Sequence, residues 1–562
     1  MKKLFNTKLL SLILAIMLVL AMASCAAMGE SAPGEDGGLE LLPDLNFPNY
    51  SSPSVNGGAQ IQGGVSGGNA ANKDEALEGG VGTYTEGEME TGDVEVDLEG
   101  ATPNVPELDI PEAKPPVFIE NPFINTAEQN ISTFSADVDT ASYTYFRKLA
   151  KSGYNFSNLV NSGSQFRTEE FINYFKYDVA GPKENELFGV YTELTPCPWN
   201  NETMLFRVTL QAEEAINEGG NNLVFLIDVS GSMSSQDKLP LLKKAFSYLV
   251  SNLGANDTVS IVTYSGREAV VLDGCNGLDT NAIMNAINGL RASGSTNGQA
   301  GLTMAYQIAE KHFKPEGNNR IIMASDGDLN VGISSADELT SYIEGKRDQG
   351  VYLSVLGFGS GNYKDDNMEA LADNGNGVYY YIDGETEAEK VFGTDLLGTL
   401  YTVAEDVKLQ IEFNSQRVES YRLVGYENRV MDNEDFENDK KDAGEVGASH
   451  QVTVVYEVKL SPTTTYSMES ATIMTLRVRY KNPGESLSLL NEYALGNEII
   501  NEEPTADTRF IGVVIQTCML LHGSEYAEGI TLEGIVEELD TLDLEGDSYK
   551  VEFRDIMKNF VK

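Results

Sequence analysis

The fold of this chain is decided by Leu223-Val224-Phe225-Leu226-Ile227-Asp228-Val229-Ser230-Gly231-Ser232. The first five residues are continuously apolar, which is typical of a parallel strand that is covered on both faces. The last five place one carboxylate and two hydroxyls on a tight turn at the end of that strand. We therefore predict a buried parallel strand whose carboxyl end presents oxygen ligands.

Similar strand-like segments recur along the middle of the chain. Apolar runs recur at residues 259–264, 320–324 and 351–358, and segments with helical spacing lie between them at 239–253 and 302–313. Alternating strands and helices predict right-handed βαβ units. The expected fold class is therefore α/β, with a doubly wound, mainly parallel sheet that binds ligands beyond the carboxyl ends of its strands.

Strand-like alternation flanks this unit on both sides. It occurs at 187–194 and 204–211 before the unit, and at 407–413, 450–460 and 471–480 after it. Helical spacing of apolar residues occurs near 145–149, at 171–175, from 508 onward and again at 553–557. We predict that the two flanks pair into one β-sandwich, and that the α/β domain is inserted between these β-rich and helical regions.

The start of the chain has the pattern of a bacterial export signal. Lys2, Lys3 and Lys8 precede an apolar run at 9–20, and small residues follow it. The segment Leu20-Ala21-Met22-Ala23-Ser24-Cys25 resembles a lipobox, in which the chain is cut before a lipid-modified cysteine. We predict a signal peptide at 1–24, lipidation of Cys25 and an extracytoplasmic protein anchored to the bacterial cell membrane or envelope. An uncleaved anchor or an ordinary signal peptide is the alternative.

Amino-acid composition limits the structure of residues 25–118 and the partners and disulfides that the chain can have. Residues 25–118 are rich in Gly, Pro, Ser and acidic side chains and have few large apolar ones, which predicts a disordered acidic tether. The whole chain has 86 acidic and 39 basic residues and a formal net charge of −47, so nucleic acid is not an expected partner. Only Cys197, Cys275 and Cys518 follow Cys25, and this spacing predicts free thiols rather than a disulfide framework.

Three separate segments of the α/β unit offer oxygen ligands. Asp228, Ser230 and Ser232 follow the first strand, Thr296 lies in a Gly-rich loop before a helix, and Asp326 follows another parallel strand. Carboxylate, hydroxyl and water oxygens suit Mg²⁺ or Mn²⁺, so the three loops together predict one metal site. The alternative is that the Ser-rich turn only caps the next helix, with Asp228 accepting from backbone N–H groups.

Another acidic segment lies after the α/β unit. Asp435, Glu437, Asp439 and Asp442 form a loop that could attract Ca²⁺, although an ordinary solvated loop is the favoured interpretation.

The run Asp228-x-Ser230-x-Ser232, with Thr296 and Asp326, resembles the metal-ion-dependent adhesion site of von Willebrand factor type A (VWA) domains. The resemblance implies that Ser230 and Ser232 bind Mg²⁺, or Mn²⁺ or Ca²⁺ in its place, directly. It also implies that Thr296 binds the ion in the active state and that Asp228 and Asp326 hold it mainly through waters. One coordination position stays open, and in the family an acidic side chain of the partner protein fills it.

The flanking segments add to this resemblance. Those at 121–123, 132–143, 169–175 and 401–408 look like a bacterial subfamily of VWA lipoproteins with extensions on both sides of the domain. We therefore predict an N-terminal VWA-associated region at 119–218, a VWA domain at 219–403 and a C-terminal region, β-rich and then helical, at 404–562.

The expected function is binding rather than catalysis. The three histidines, His312, His450 and His522, stand apart from any nucleophile or metal-ligand spacing, so an enzyme is not expected. The prediction is a cell-surface lipoprotein that binds a partner protein, for adhesion or for assembly of an envelope complex. Two alternatives stay open: a metal-assisted hydrolase, and a scaffold in which the ion is only structural.

Overall fold

The computed structural model describes residues 119–160, 166–214, 219–295, 298–327, 336–359, 365–462 and 472–562. The predicted signal peptide at 1–24, the tether at 25–118 with its Cys25, and Thr296 lie outside these ranges. None of the helices in the described ranges has the length and apolar character that a membrane crossing requires.

A six-stranded sheet forms the centre of the α/β domain. Its strands, in sequence order, are β5 (Asn221–Asp228), β6 (Thr258–Tyr264), β7 (Ala269–Asn276), β8 (Asn318–Ser325), β9 (Tyr352–Phe358) and β10 (Tyr379–Ile382). The spatial order is β10-β9-β8-β5-β6-β7, and every neighbouring pair is parallel except β6 and β7. This arrangement confirms the predicted, mainly parallel sheet and places β5 near its middle.

Helices cover both faces of this sheet. On one face lie α4 (Leu239–Ser251) and α5 (Thr280–Gly289), and on the other lie α6 (Gly298–Lys311), α7 (Ala336–Arg347) and α8 (Asp365–Asn374). Successive β5 side chains alternate between the two cores: Phe225 packs into the first and Leu226 into the second. Burial on both faces is therefore the reason why this strand is continuously apolar.

The strands before and after the α/β domain form two further sheets. Those that precede the domain are β1 (Ile124–Asn125), β2 (Ile131–Ser135), β3 (Phe188–Pro196) and β4 (Met204–Ala212). Those that follow it are β11 (Thr402–Phe413), β12 (Val418–Val424), β13 (Gly444–Gly447), β14 (Gln451–Leu460), β15 (Met474–Lys481) and β16 (Leu489–Leu495). One sheet has the order β1-β12-β14-β4-β3, and the other has the order β13-β11-β15-β16 with β2 also paired to β11. Each sheet thus combines strands from both flanks.

A shared apolar core joins these two sheets. Val208 pairs with Val454 across β4 and β14, and Phe134 pairs with Leu409 across β2 and β11. All four side chains belong to one buried cluster. The predicted β-sandwich built from both flanks, with the α/β domain inserted, is confirmed.

The helical parts of the flanks also pack together. They are α1 (Ala141–Lys151), α2 (Phe156–Val160) and α3 (Thr168–Tyr174) from the N-terminal side, and α11 (Ala506–His522), α12 (Leu532–Thr541) and α13 (Ser548–Val561) from the C-terminal side. Phe175 contacts Phe510 with ring centroids 4.9 Å apart, and Phe510 contacts Phe553 at 5.7 Å. Two short helices of the α/β domain, α9 (Glu385–Glu389) and α10 (Leu396–Leu400), lie on either side of a π-helical turn at Lys390–Thr394 and complete the described α-helices.

A buried arginine connects α1 to the α/β domain. The Arg147 guanidinium is fully buried and pairs with Asp383 at 2.5 Å, Glu387 at 2.8 Å and Glu552 at 3.3 Å. These partners belong to the α/β domain and to α13, so one side chain links three parts of the fold. Cys197, Cys275 and Cys518 are free thiols, as the sequence predicted.

Candidate metal centre

The first part of the candidate site is the turn after β5. Asp228 ends this strand with no exposed surface, and its Oδ1 accepts a hydrogen bond from the backbone N–H of Ser230 at 2.7 Å. The Oγ atoms of Ser230 and Ser232 lie 2.9 Å apart as a 3₁₀ turn begins at Gly231. The carboxylate therefore fixes a turn that holds two hydroxyls together, and Ser232 is exposed to solvent.

The second part follows the neighbouring parallel strand, β8. Asp326 comes directly after this strand and is only 3% exposed. Its Oδ1 is buried without a hydrogen-bond partner, and its Oδ2 accepts from the Nζ of Lys238 at 2.9 Å. Because β5 and β8 are parallel neighbours, Asp228 and Asp326 emerge at the same edge of the sheet.

The third part is the Gly-rich loop before α6. The N–H of Ser293 donates to the carbonyl of Val229 at 2.7 Å, and the N–H of Gly231 donates to the carbonyl of Gly294 at 3.0 Å. Gly294 has a φ of +87°, a conformation that suits glycine. Two backbone hydrogen bonds therefore tie this loop to the Asp228 turn. Thr296 belongs to the same Gly-rich segment of the sequence but lies outside the described residues, so its part in the site stays a prediction.

These residues fit a hard divalent cation. Two buried carboxylates and two adjacent hydroxyls form an all-oxygen donor set, and the unpartnered Oδ1 of Asp326 is a buried acceptor that a cation or its water would satisfy. Burial and the nearby Asp228 carboxylate raise the pKa of the Tyr264 hydroxyl, which keeps that group neutral beside the site. Ser230 and Ser232 would hold the ion directly, and the two carboxylates would supply the balancing charge.

The sequence pattern did not indicate Lys238, whose ammonium lies at the edge of the candidate site. Its side chain is 12% exposed and passes close to Gly359, where an added Cβ would come within 2.2 Å of the lysine Cε. The available signal was its position immediately before α4, because a cation at a helix N-terminus is unfavourable unless another anion holds it.

The histidines are not part of this site. His312 pairs with the surface residue Asp273 at 2.7 Å. His450 and His522 are enclosed elsewhere, and burial lowers the pKa of His450 to about 3 and that of His522 to about 4. No described histidine belongs to a cluster of metal-ligating side chains.

Three family models match the chain. "Von Willebrand factor type A domain" matches residues 222–394, "von Willebrand factor" matches 116–207, and "Uncharacterized protein YfbK, C-terminal" matches 398–561. The central unit, with its sheet and the polar loops at its edge, is a VWA domain.

Relatives identify the family more closely. The protein YfbK of Escherichia coli (strain K12) is 38% identical over 441 residues, which cover 74% of this chain and 76% of that protein. The chain belongs to the YfbK family.

More distant relatives and solved structures are also similar to this chain. The protein sll0103 of Synechocystis sp. is 28% identical over 195 residues, 35% of this chain and 45% of that protein. Inter-alpha-trypsin inhibitor heavy chain H3 of Homo sapiens is 26% identical over 255 residues, 42% of this chain and 28% of that protein. A solved von Willebrand factor type A structure from Catenulispora acidiphila is 15% identical, with a TM-score of 0.37, and covers 65% of this chain and 88% of that one. A VWA domain implies a protein-interaction or adhesion-type function, and such proteins are generally not enzymes.

Proposed function

We propose that this protein is a lipid-anchored, extracytoplasmic binding protein that captures a partner protein through a divalent ion at the VWA domain. The observation that carries the proposal is the grouping of Asp228, Ser230, Ser232 and Asp326 at one edge of the sheet. Thr296 completes the proposed site from the adjoining loop. The role is adhesion or the assembly of an envelope complex.

The chemistry of the donors favours recognition over catalysis. An ion held directly by neutral hydroxyls, with carboxylates acting mainly through water, keeps enough positive charge to attract an outside anion. The exposed Ser232 leaves the ion accessible from solvent, as docking of a partner requires. We infer that the partner contributes an Asp or Glu side chain to the open coordination position.

Calorimetric titration with Mg²⁺ and Mn²⁺ tests whether the VWA site binds a divalent ion. The full chain should bind either ion at the VWA site, and the double variant Ser230→Ala/Ser232→Ala should lose that binding. Ser234→Ala is the matched control, because Ser234 is an exposed serine of the same turn that makes none of the contacts described above. Unchanged heat in the double variant would refute the metal centre.

Partner capture tests the rest of the proposal. Immobilised protein should retain one specific protein from envelope extracts in Mg²⁺, and release it in EDTA or when the two serines are replaced. Capture that survives both treatments would refute ion-mediated binding. Metabolic labelling with palmitate tests the anchor: wild type should incorporate the label and Cys25→Ser should not.

A further inference from the structure

A second group of carboxylates lies away from the VWA site, at the edge of the flanking sandwich. Asp406, Asp442 and Glu445 each direct a carboxylate oxygen to one place, and these atoms lie within 4.8 Å of one another. Two of the four acids that the sequence placed in a nearby loop have other partners: Asp435 pairs with Lys441 at 3.6 Å and Asp439 with Arg479 at 2.9 Å.

A β-bulge brings Asp406 and Glu445 together. In the pairing of β11 with β13, Ala404 lies opposite Val446 and Val407 lies opposite Gly444. Two residues of β11, one of them Asp406, therefore face the single residue Glu445. Asp406 has a φ of +53°, which is unusual for a residue other than glycine and directs its side chain toward the neighbouring strand's carboxylate.

The buried side chain of Glu445 indicates that this group binds a ligand. It is 7% exposed, and its Oε1 is buried without any hydrogen-bond partner. A buried carboxylate oxygen without a partner is costly, so it calls for a cation or a donor that completes the site. Burial and the surrounding carboxylates of Asp442, Asp373 and Asp406 raise the pKa of Glu445, which reflects an excess of negative charge.

Two nearby cations pair with Asp442 and Asp406, and a third donates to neutral hydroxyls, so none of them pairs with Glu445. Arg347 pairs with Asp442 at 3.1 Å, and Lys481 pairs with Asp406 while also donating to the Asp439 carbonyl. The buried Arg320 donates to the hydroxyls of Ser354 and Thr402. In the part of the chain that the structure describes, none of these three side chains forms an ion pair with Glu445.

Space for a hydrated ion lies next to this group. Asp406 and Asp442 line a cavity of about 510 Å³ that is also bordered by Tyr352, Glu405 and Gly484. Calcium takes six to eight oxygen ligands in flexible geometry, at about 2.3–2.6 Å, and combines carboxylates with water. Asp406 and Asp442 line this cavity and Glu445 lies close to both, and such a carboxylate group with access to water suits calcium better than Mg²⁺, which requires a near-ideal octahedron.

We propose that Asp406, Asp442 and Glu445 bind a calcium ion at the junction of the sandwich and the VWA domain. The junction is defined by Arg347 of α7, which reaches Asp442, and by the hydroxyl of Tyr352 of β9, which donates to Glu405 at 2.7 Å. The ion neutralises the group formed by the bulge and stiffens the contact between the two domains. This site is independent of the VWA metal centre.

Terbium luminescence provides a direct test, because Tb³⁺ replaces Ca²⁺ and Tyr352 at the cavity can sensitise its emission. The background is full-length Ser230→Ala/Ser232→Ala protein, in which the VWA site is disabled. We expect Tyr-sensitised emission that Ca²⁺ displaces at lower concentration than Mg²⁺. Glu445→Gln should weaken Tb³⁺ binding by about tenfold or more.

Two further variants test the calcium site independently of Glu445→Gln. Asp442→Asn changes an exposed ligand and should also weaken binding, even where Glu445→Gln impairs folding. Glu485→Gln removes an exposed carboxylate from the lining of the same cavity and should leave the affinity unchanged. Absence of displaceable emission, or equal affinities in Asp442→Asn and Glu485→Gln, would overturn the calcium site while leaving the VWA proposal unaffected.

Discussion

The Nζ of Lys238 lies 2.9 Å from the Oδ2 of Asp326, so a lysine ammonium occupies the edge of the site proposed for a divalent ion. The two residues are 88 positions apart, and the pair is largely buried, with side-chain exposures of 12% and 0%. Two cations cannot share one carboxylate without mutual repulsion. The lysine must therefore move away when an ion binds there, or it weakens the binding of that ion.

Replacing this lysine should strengthen ion binding. Lys238→Met keeps the aliphatic stem and removes the competing charge, so we expect Mg²⁺ affinity to rise by about tenfold, which is ~1.4 kcal/mol. Calorimetric titration measures the change. Lys244→Met is the control, because Lys244 lies on α4, the helix that Lys238 precedes, in an exposed pair with Glu385. Equal or weaker Mg²⁺ binding by Lys238→Met would contradict the competition.

Mg²⁺ should stabilise the fold through Asp326. A ligand that binds only the native state at about 100 times its Kd adds about 2.7 kcal/mol to the unfolding free energy. We expect wild type to show a higher melting temperature in Mg²⁺ than in EDTA, and Asp326→Asn to show none of this difference. Asp273→Asn, which alters a surface carboxylate, should respond as wild type does. Scanning calorimetry makes the comparison, and an Asp326→Asn protein that still responds would place the ion elsewhere.

Arg147 should be essential for stability. Arg147→Met leaves the carboxylates of Asp383 and Glu387 buried without their cation, a change that typically costs about 3–5 kcal/mol. Urea unfolding followed by fluorescence of the sole tryptophan, Trp199, measures this loss, because Trp199 packs against the helical core. Lys151→Met removes a 48%-exposed partner of Glu552 and should cost about 1 kcal/mol or less. Similar losses in the two variants would show that Arg147 does not hold the domains together.

Two buried histidines should make stability depend on pH. Burial lowers the pKa of His450 to about 3, with Lys176 acting in the same direction, and lowers the pKa of His522 to about 4. Both histidines are neutral in the native protein, while the unfolded chain takes up protons near its ordinary pKa of 6.5. Native stability from this source is therefore complete above pH 6.5 and falls as pH decreases below it, by about 1.4 kcal/mol per unit for each histidine.

The measurement compares wild type with His450→Gln/His522→Gln. Between about pH 7 and about pH 5.5, wild type should lose about 2–3 kcal/mol more unfolding free energy than the variant. Buried carboxyls act with the opposite sign, since burial raises the pKa of Glu169 to about 8 and that of Glu369 to about 9. Their contribution is common to both proteins and cancels in the difference. Parallel pH profiles for the two proteins would be inconsistent with neutral buried histidines.

Much of the fold could be predicted because its signals are local. The apolar run at Leu223–Ile227 reports burial on both faces, and alternation in the flanks reports sheets with two different faces. The convergence of Asp228 and Asp326 also followed from sequence, because parallel strands end at the same edge. Thr296 and Cys25 remain predictions, since both lie outside the described residues.

The sequence by itself determined the parallel sheet, the inserted order of the domains and the position of Asp228 and Asp326 at one edge of the sheet, since periodicity and strand ends are encoded within a few residues. Only the tertiary structure decided that Lys238 contacts Asp326 and that a bulge sets Asp406 beside Glu445. The physical reason is that the packing of the sheets determines which charged residues, far apart in sequence, become partners. No local sequence pattern encodes that packing.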